Sequence, residues 1–116
     1  MTVLVAGTST AEGKSAHRFA VEEAARRQED VLYFVLAGER PEPEVASGAG
    51  VTEAYAEPDA RGKDAVGDLL DTAGQVDVSA IVVGVRHRSP VGKLLLGSAA
   101  QQIILEASAP VICVKP

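Results

Sequence analysis

The chain predicts an α/β fold built on a parallel sheet with helices on both faces. Three observations carry that expectation. Short, continuously apolar runs recur along the sequence, amphipathic stretches of helical length alternate with them, and Gly or Pro marks most of the changeovers. A strand buried on both faces reads as an unbroken run of Val, Ile and Leu, whereas a strand with one wet face alternates apolar and polar. Helices placed between such runs must cross the faces of a parallel sheet.

The elements follow in order. Val3-Leu4-Val5-Ala6 opens the chain and stops at Gly7. Residues 11–28 carry Ala16, Phe19, Ala20 and Ala24 at helical spacing, and Ser9-Thr10-Ala11-Glu12 has the form of a capping box at the entrance. Val31 to Leu36 is the second apolar run, closed by Gly38. Residues 38–50 hold Pro41, Pro43, Gly48 and Gly50, a composition that predicts loop. Val51 to Ala56 is a weak strand, suited to a sheet edge. A helix is expected from Pro58-Asp59, with Ala65, Val66, Leu69, Leu70 and Ala73 on one side and Gly74 as its stop. Val78 to Gly84 is the fourth strand. Ser98-Ala99-Ala100-Gln101 has the form of a second capping box, ahead of a helix that turns Ile103, Ile104 and Ala107 inward. Pro110 ends it, and Val111 to Val114 is the last strand.

Composition narrows the function. The 116 residues suit one domain, 1–116, with a substantial core. A net charge of −5 argues against general nucleic-acid or anionic-membrane binding. With no Trp, two Tyr and two Phe, there is no aromatic platform for single strands. No apolar stretch approaches the length of a membrane span, and the first residues lack the basic segment of a signal peptide, so the expected compartment is the cytoplasm. The lone Cys113 excludes an internal disulfide and reads as a small buried hydrophobe. His17, between Lys14 and Arg18, is expected to be exposed. The acidic residues of the helices, Glu22 and Glu23 among them, are expected on solvated faces. No His, Cys, Asp or Glu cluster has metal-ligand spacing, and no nucleophile-and-base set can be assembled, so an enzyme is not expected.

The segment from Gly84 to Ser98 carries the functional signal. It joins a buried strand to a helix N-terminus, where open α/β folds bind phosphate through free N–H groups and the helix dipole. It holds Arg86, Arg88 and Lys93 and no acidic residue. Gly7 to Ser15 invites comparison with a phosphate-binding P-loop, but Gly7 stands one residue too far from Gly13-Lys14-Ser15, and the required position is Thr8. There Gly13 and Lys14 read as first-turn helix residues.

Gly84, Gly97 and Ser98 stand at the distances of the pattern Gly-x2-Gly-x9-Gly-Ser, and Lys93-Leu94-Leu95-Leu96-Gly97-Ser98 closes it. In these residues, in the following helix and in Pro110 to Val114 the chain resembles the universal stress protein family. The resemblance is strong from about residue 76 to 116 and weak from 38 to 60. It implies a five-stranded, Rossmann-like sheet of order 3-2-1-4-5, akin to the adenine nucleotide alpha hydrolases; the full helix that members usually carry between strands two and three is expected to be shortened or missing here. Some members bind ATP or AMP, with Mg2+ in the former case, and others bind no nucleotide. Carried over by position, the implied nucleotide-binding residues are Ala6, Gly7, Thr8, Leu36, Gly84, Arg86, His87, Gly92, Lys93, Gly97, Ser98 and Ala99. Ser98 is expected both to cap the last helix and to meet a phosphate. The last strand, 111–114, is implied to pair across a homodimer axis.

Two residues depart from the pattern. His87 stands at the second glycine, where a positive φ would cost a non-glycine residue about 1 kcal/mol or more. Thr8 stands where nucleotide-binding members carry an acid, and brings no carboxylate. Two functions therefore remain open from sequence: an adenine-nucleotide-binding regulatory module, and a homodimeric interaction protein that binds none. A nucleotidyl transferase or hydrolase is a third and weaker reading, since the paired-His signature of such enzymes is missing.

Overall fold

The computed structural model describes residues 1–59, 64–86 and 96–116. Its elements run β1 (Thr2–Gly7), α1 (Ala11–Arg27), β2 (Asp30–Val35), α2 (Pro43–Gly48), β3 (Glu53–Ala56), α3 (Ala65–Gln75), β4 (Val78–Gly84), α4 (Ser98–Glu106) and β5 (Val111–Val114). The strands form one parallel sheet of order β3-β2-β1-β4-β5, the order that the resemblance implied. β1 is central because it is the most apolar strand: Leu4 pairs with Leu32 on one side and Ile81 on the other. Val3, Leu4 and Val5 are fully buried.

The period of two along each strand divides the core into two layers. Val3, Val5, Val31, Tyr33 and Val82 face the small-residue stripe Ala16, Ala20 and Ala24 of α1. Leu4, Phe34, Ile81 and Val83 face the other way, onto Leu69 of α3 and Ala100 and Ile103 of α4. Alanines let α1 lie close against the sheet, which brings its N-terminal turn hard against the carboxyl ends of the strands.

Several expectations are corrected. Residues 38–50 are not all loop: Pro43 starts the short helix α2, whose Ala46 is buried. Pro at a first helical position is pre-set for the helix and lacks an N–H that would have no partner there. α3 starts later than Pro58-Asp59 predicts. Its cap is Asp64, whose carboxylate accepts from the N–H of Gly67, and it ends one residue past Gly74. Neither expected capping box forms. α1 is capped by Thr10, whose Oγ1 accepts from Gly13 N at 3.1 Å, while Ser9 Oγ accepts from Glu39 N. α4 is capped by the backbone of Gly97, so Ser98 is the first helical residue rather than the cap.

Four side chains lie on unexpected sides of the surface. Ile104, expected to turn inward with Ile103, is exposed. His17 is buried, because it shares the sheet-facing stripe with Gly13, Ala20 and Ala24 rather than the exposed face of Lys14 and Arg18. Glu23 is also buried, and it is held by ion pairs to Arg26 and Arg27 one turn on. Cys113 is exposed, on the edge strand β5.

Candidate functional site

The chain runs outward from β1 to β2 and β3, then returns across the sheet to β4 and β5. The reversal lies between β1 and β4, and a crevice beyond the carboxyl ends of the strands is where this topology binds ligands. A cleft of about 180 Å³ occupies that position. Its floor is the ends of β1 and β4, through Ala6, Val83 and Gly84. One wall is the turn into α1 (Thr8, Thr10 and Glu12), another is the start of α4 (Gly97, Ala99 and Ala100), and Leu36 and Arg86 complete the rim.

The backbone explains why the cleft is open there. Gly84 packs under the first turn of α1, and a Cβ at this position would collide with the carbonyl group of Glu12. Gly7 is needed for a similar reason, since a Cβ there would enter the ring of Tyr33. The carbonyl of Gly7 accepts from Leu36 N at 2.9 Å and Ala37 N at 3.3 Å, which ties the end of β2 to the end of β1. Gly97 is different: a Cβ on it would meet no atom of the described residues within 4 Å.

Polar groups in the cleft are few. Thr8 Oγ1 and Thr10 Oγ1 are 2.7 Å apart and share a hydrogen bond. Gln101 Nε2 donates to the carbonyl of Leu96, 3.2 Å away, ahead of α4. Among the described residues no side chain accepts from the first-turn N–H groups of α4, and Ala99 and Ala100 of that turn line the cleft. Arg86, exposed beside them, adds a cation.

Of the sequence-derived site residues, Ala6, Thr8, Leu36, Gly84, Arg86, Gly97 and Ala99 line this cleft. Gly7 is buried beneath it and shapes it without lining it. Ser98 is exposed and is not among the lining residues. His87, Gly92 and Lys93, with Arg88, lie outside the described residues. Four lining residues were missed: Thr10, Glu12, Val83 and Ala100. Val83 and Ala100 were legible as neighbours of Gly84 and Ala99. Glu12 was hidden because its spacing from Ser9 suggested a capping role.

A parallel sheet with a crevice at its switch point, walled by a helix N-terminus, defines an open α/β domain. Comparisons narrow the class. The profile of the universal stress protein family matches residues 57–115. A universal stress protein of Mycolicibacterium smegmatis is 37% identical over 118 aligned positions, which cover 90% of this chain and 89% of the relative. A universal stress protein structure from Archaeoglobus fulgidus superposes with a TM-score of 0.75 at 33% identity, covering 98% of this chain and 97% of that one. A second Archaeoglobus fulgidus structure, a universal stress protein in complex with dAMP, gives a TM-score of 0.71 at 28% identity, over 98% of this chain and 96% of that one. The chain belongs to the universal stress protein family. Among the described residues no helix is long and apolar enough to cross a membrane.

Proposed function

We propose that the chain is a regulatory module that binds an adenine nucleotide in the cleft between β1 and β4. The observation that carries this reading is the start of α4. Its first-turn N–H groups have no side-chain acceptor among the described residues and belong to residues that line the cleft, and the helix dipole adds positive potential at the same point. A phosphate satisfies both. The relative described with dAMP supports the choice of an adenine nucleotide.

The remaining roles follow from position. Gly97 leaves room for the phosphate, and Arg86 pairs with it. The ring of the base lies against the apolar floor of Ala6, Leu36 and Val83. Glu12 accepts from the ribose hydroxyls, supplying the carboxylate that Thr8 lacks. Magnesium would arrive with the triphosphate: among the described residues no group of three or more His, Cys, Asp or Glu side chains is arranged to hold a metal. The chain is read as a binding module rather than an enzyme.

Calorimetric titration with AMP, dAMP and magnesium ATP tests the reading, beside a Gly97→Val variant. Among the described residues no atom lies within 4 Å of the added Cβ, so the new side chain puts its bulk beside the phosphate position. Micromolar binding that falls by at least about tenfold in the variant is expected, a loss of roughly 1.4 kcal/mol. No heat from a folded wild-type protein would sink the proposal.

A second reading concerns assembly. β5 is an outer strand of the sheet, four residues long and apolar, with no strand paired on its outer edge among the described residues. Edge strands of this kind are covered or paired. We infer a homodimer formed through residues 111–114. Sedimentation equilibrium at micromolar concentration gives twice the chain mass if this holds, and a single-chain mass if it does not.

A further inference from the structure

A larger cleft lies on the opposite face of the sheet, between α1 and the segment that leads from β2 into α2. Its volume is about 380 Å³, and Thr8 is the one residue it shares with the cleft of the proposed nucleotide site. Pockets of a few hundred Å³ with convergent polar groups are the usual form of small-molecule sites.

Two buried polar side chains on its floor have unused hydrogen-bonding capacity. Tyr33 is only 2% exposed, and its hydroxyl has no hydrogen-bond partner among the described residues. No buried side-chain oxygen or nitrogen is left unsatisfied in these residues, so the hydroxyl must open onto the cleft that Tyr33 lines. His17 is 4% exposed, and its Nε2 lies 2.6 Å from Oε2 of Glu53. Glu53 also accepts from the hydroxyl of Tyr55 at 2.9 Å. The other ring nitrogen of His17, Nδ1, has no hydrogen-bond partner among the described residues. The ring is held edge-on to Tyr33, with centroids 5.1 Å apart. Two polar atoms that open onto one cavity floor and are both able to hydrogen-bond point to a partner that supplies hydroxyl groups.

The lips of the cleft add charge of both signs. Lys14 and Arg18 stand one turn apart on α1, on either side of the buried His17, and neither has an ion-pair partner among the described residues. Glu39 and Glu42 line the opposite lip and are also without an ion pair there. Arg40 is already engaged, 4.8 Å above the ring of Tyr55 and 3.8 Å from Glu57. Cations on one lip suit an oxyanion. Carboxylates on the other, with the phenol and imidazole between them, suit a ligand rich in hydroxyls.

We propose that this cleft is a second binding site, for a small polyhydroxylated oxyanion of the size of a sugar phosphate. Lys14 and Arg18 hold the anionic group, Tyr33 and His17 receive hydroxyls at the floor, and Glu39 and Glu42 accept from those on the far side. The inference is independent of the nucleotide reading, since it draws on different side chains and the other face of the sheet.

Two-dimensional NMR of the isotope-labelled full chain tests it, with glucose monophosphate and gluconate as probes and inorganic phosphate and glucose as controls. Saturable shifts centred on Arg18, Tyr33 and Val45 are expected, with affinity at least about tenfold above either control. Tighter binding of glucose monophosphate would assign the anion as a phosphate, and tighter binding of gluconate as a carboxylate. Tyr33→Phe keeps the buried ring and is expected to weaken binding about fivefold. A Lys14→Gln, Arg18→Gln double variant changes only exposed residues and is expected to weaken it by more. Shifts centred on Gly84 and Gly97, no saturation with either probe, or unchanged binding by both folded variants would overturn the proposal.

Discussion

His17 shows how a neighbourhood in sequence differs from a neighbourhood on a helix. Lys14 and Arg18 flank it in the chain and are exposed, yet His17 belongs to the stripe of Gly13, Ala20 and Ala24 that faces the sheet. There it meets Glu53, thirty-six residues away, a pairing no local pattern announces. Glu53→Ala would leave both the imidazole and the Tyr55 hydroxyl without their acceptor, at a cost of about 2–3 kcal/mol measured by urea unfolding. Glu53→Gln, which keeps an oxygen acceptor, is expected to cost less. Tyr33 has a pH consequence. Burial, and after it the charge of Glu53, raises the phenol above its ordinary value. A raised pKa in the folded state favours the neutral phenol there, while the unfolded chain ionises near pH 10. The stability it contributes is therefore complete below about pH 10 and is lost as pH rises through the folded value. Tyr33→Phe should flatten the alkaline limb of stability against pH, and an unchanged limb would refute the assignment.

Among the elements, α1 and the turn before it do most to shape the clefts. Thr8 sits in that turn and lines both. The Thr10 cap and the packing of Gly13 on Thr8 hold the turn in place. Thr10→Ala is expected to cost about 1 kcal/mol of stability, and amide exchange should quicken at Gly13 and Lys14, with slower exchange in the strands unaffected. A Cβ at Gly84 would press on the same turn from below, so Gly84→Ala should destabilise the protein by about 1–3 kcal/mol in thermal unfolding. α4 contrasts with α1. Its cap is backbone alone, at Gly97, and the sequence reading assigned that role to Ser98 because Ser is a strong cap former. Propensity pointed one residue too far along, and the cap it missed is a glycine with no side-chain acceptor for the first-turn N–H groups.

At the scale of the whole molecule, one edge of the sheet is β3 and the other β5. Cys113 lies on the second edge, exposed in the single chain, and its partly desolvated setting raises its thiol above the ordinary value. If residues 111–114 pair two copies, alkylation of Cys113 should slow as protein concentration rises through the dimer constant. A rate independent of concentration would argue against that interface.

The sequence by itself determined the strands, their burial and the alternation with helices, because continuous apolar runs and helical periodicity are local properties of the chain. The spacing of Gly84 and Gly97 with Ser98 also marked the family and most of the cleft at the switch point. The tertiary structure alone decided the rest. It paired His17 with Glu53, placed Glu12 in the cleft wall, turned Cys113 outward, and left the Tyr33 hydroxyl open to a second cavity. Each of these depends on which elements meet across the sheet, and contacts between distant segments are set by packing rather than by any pattern within a segment.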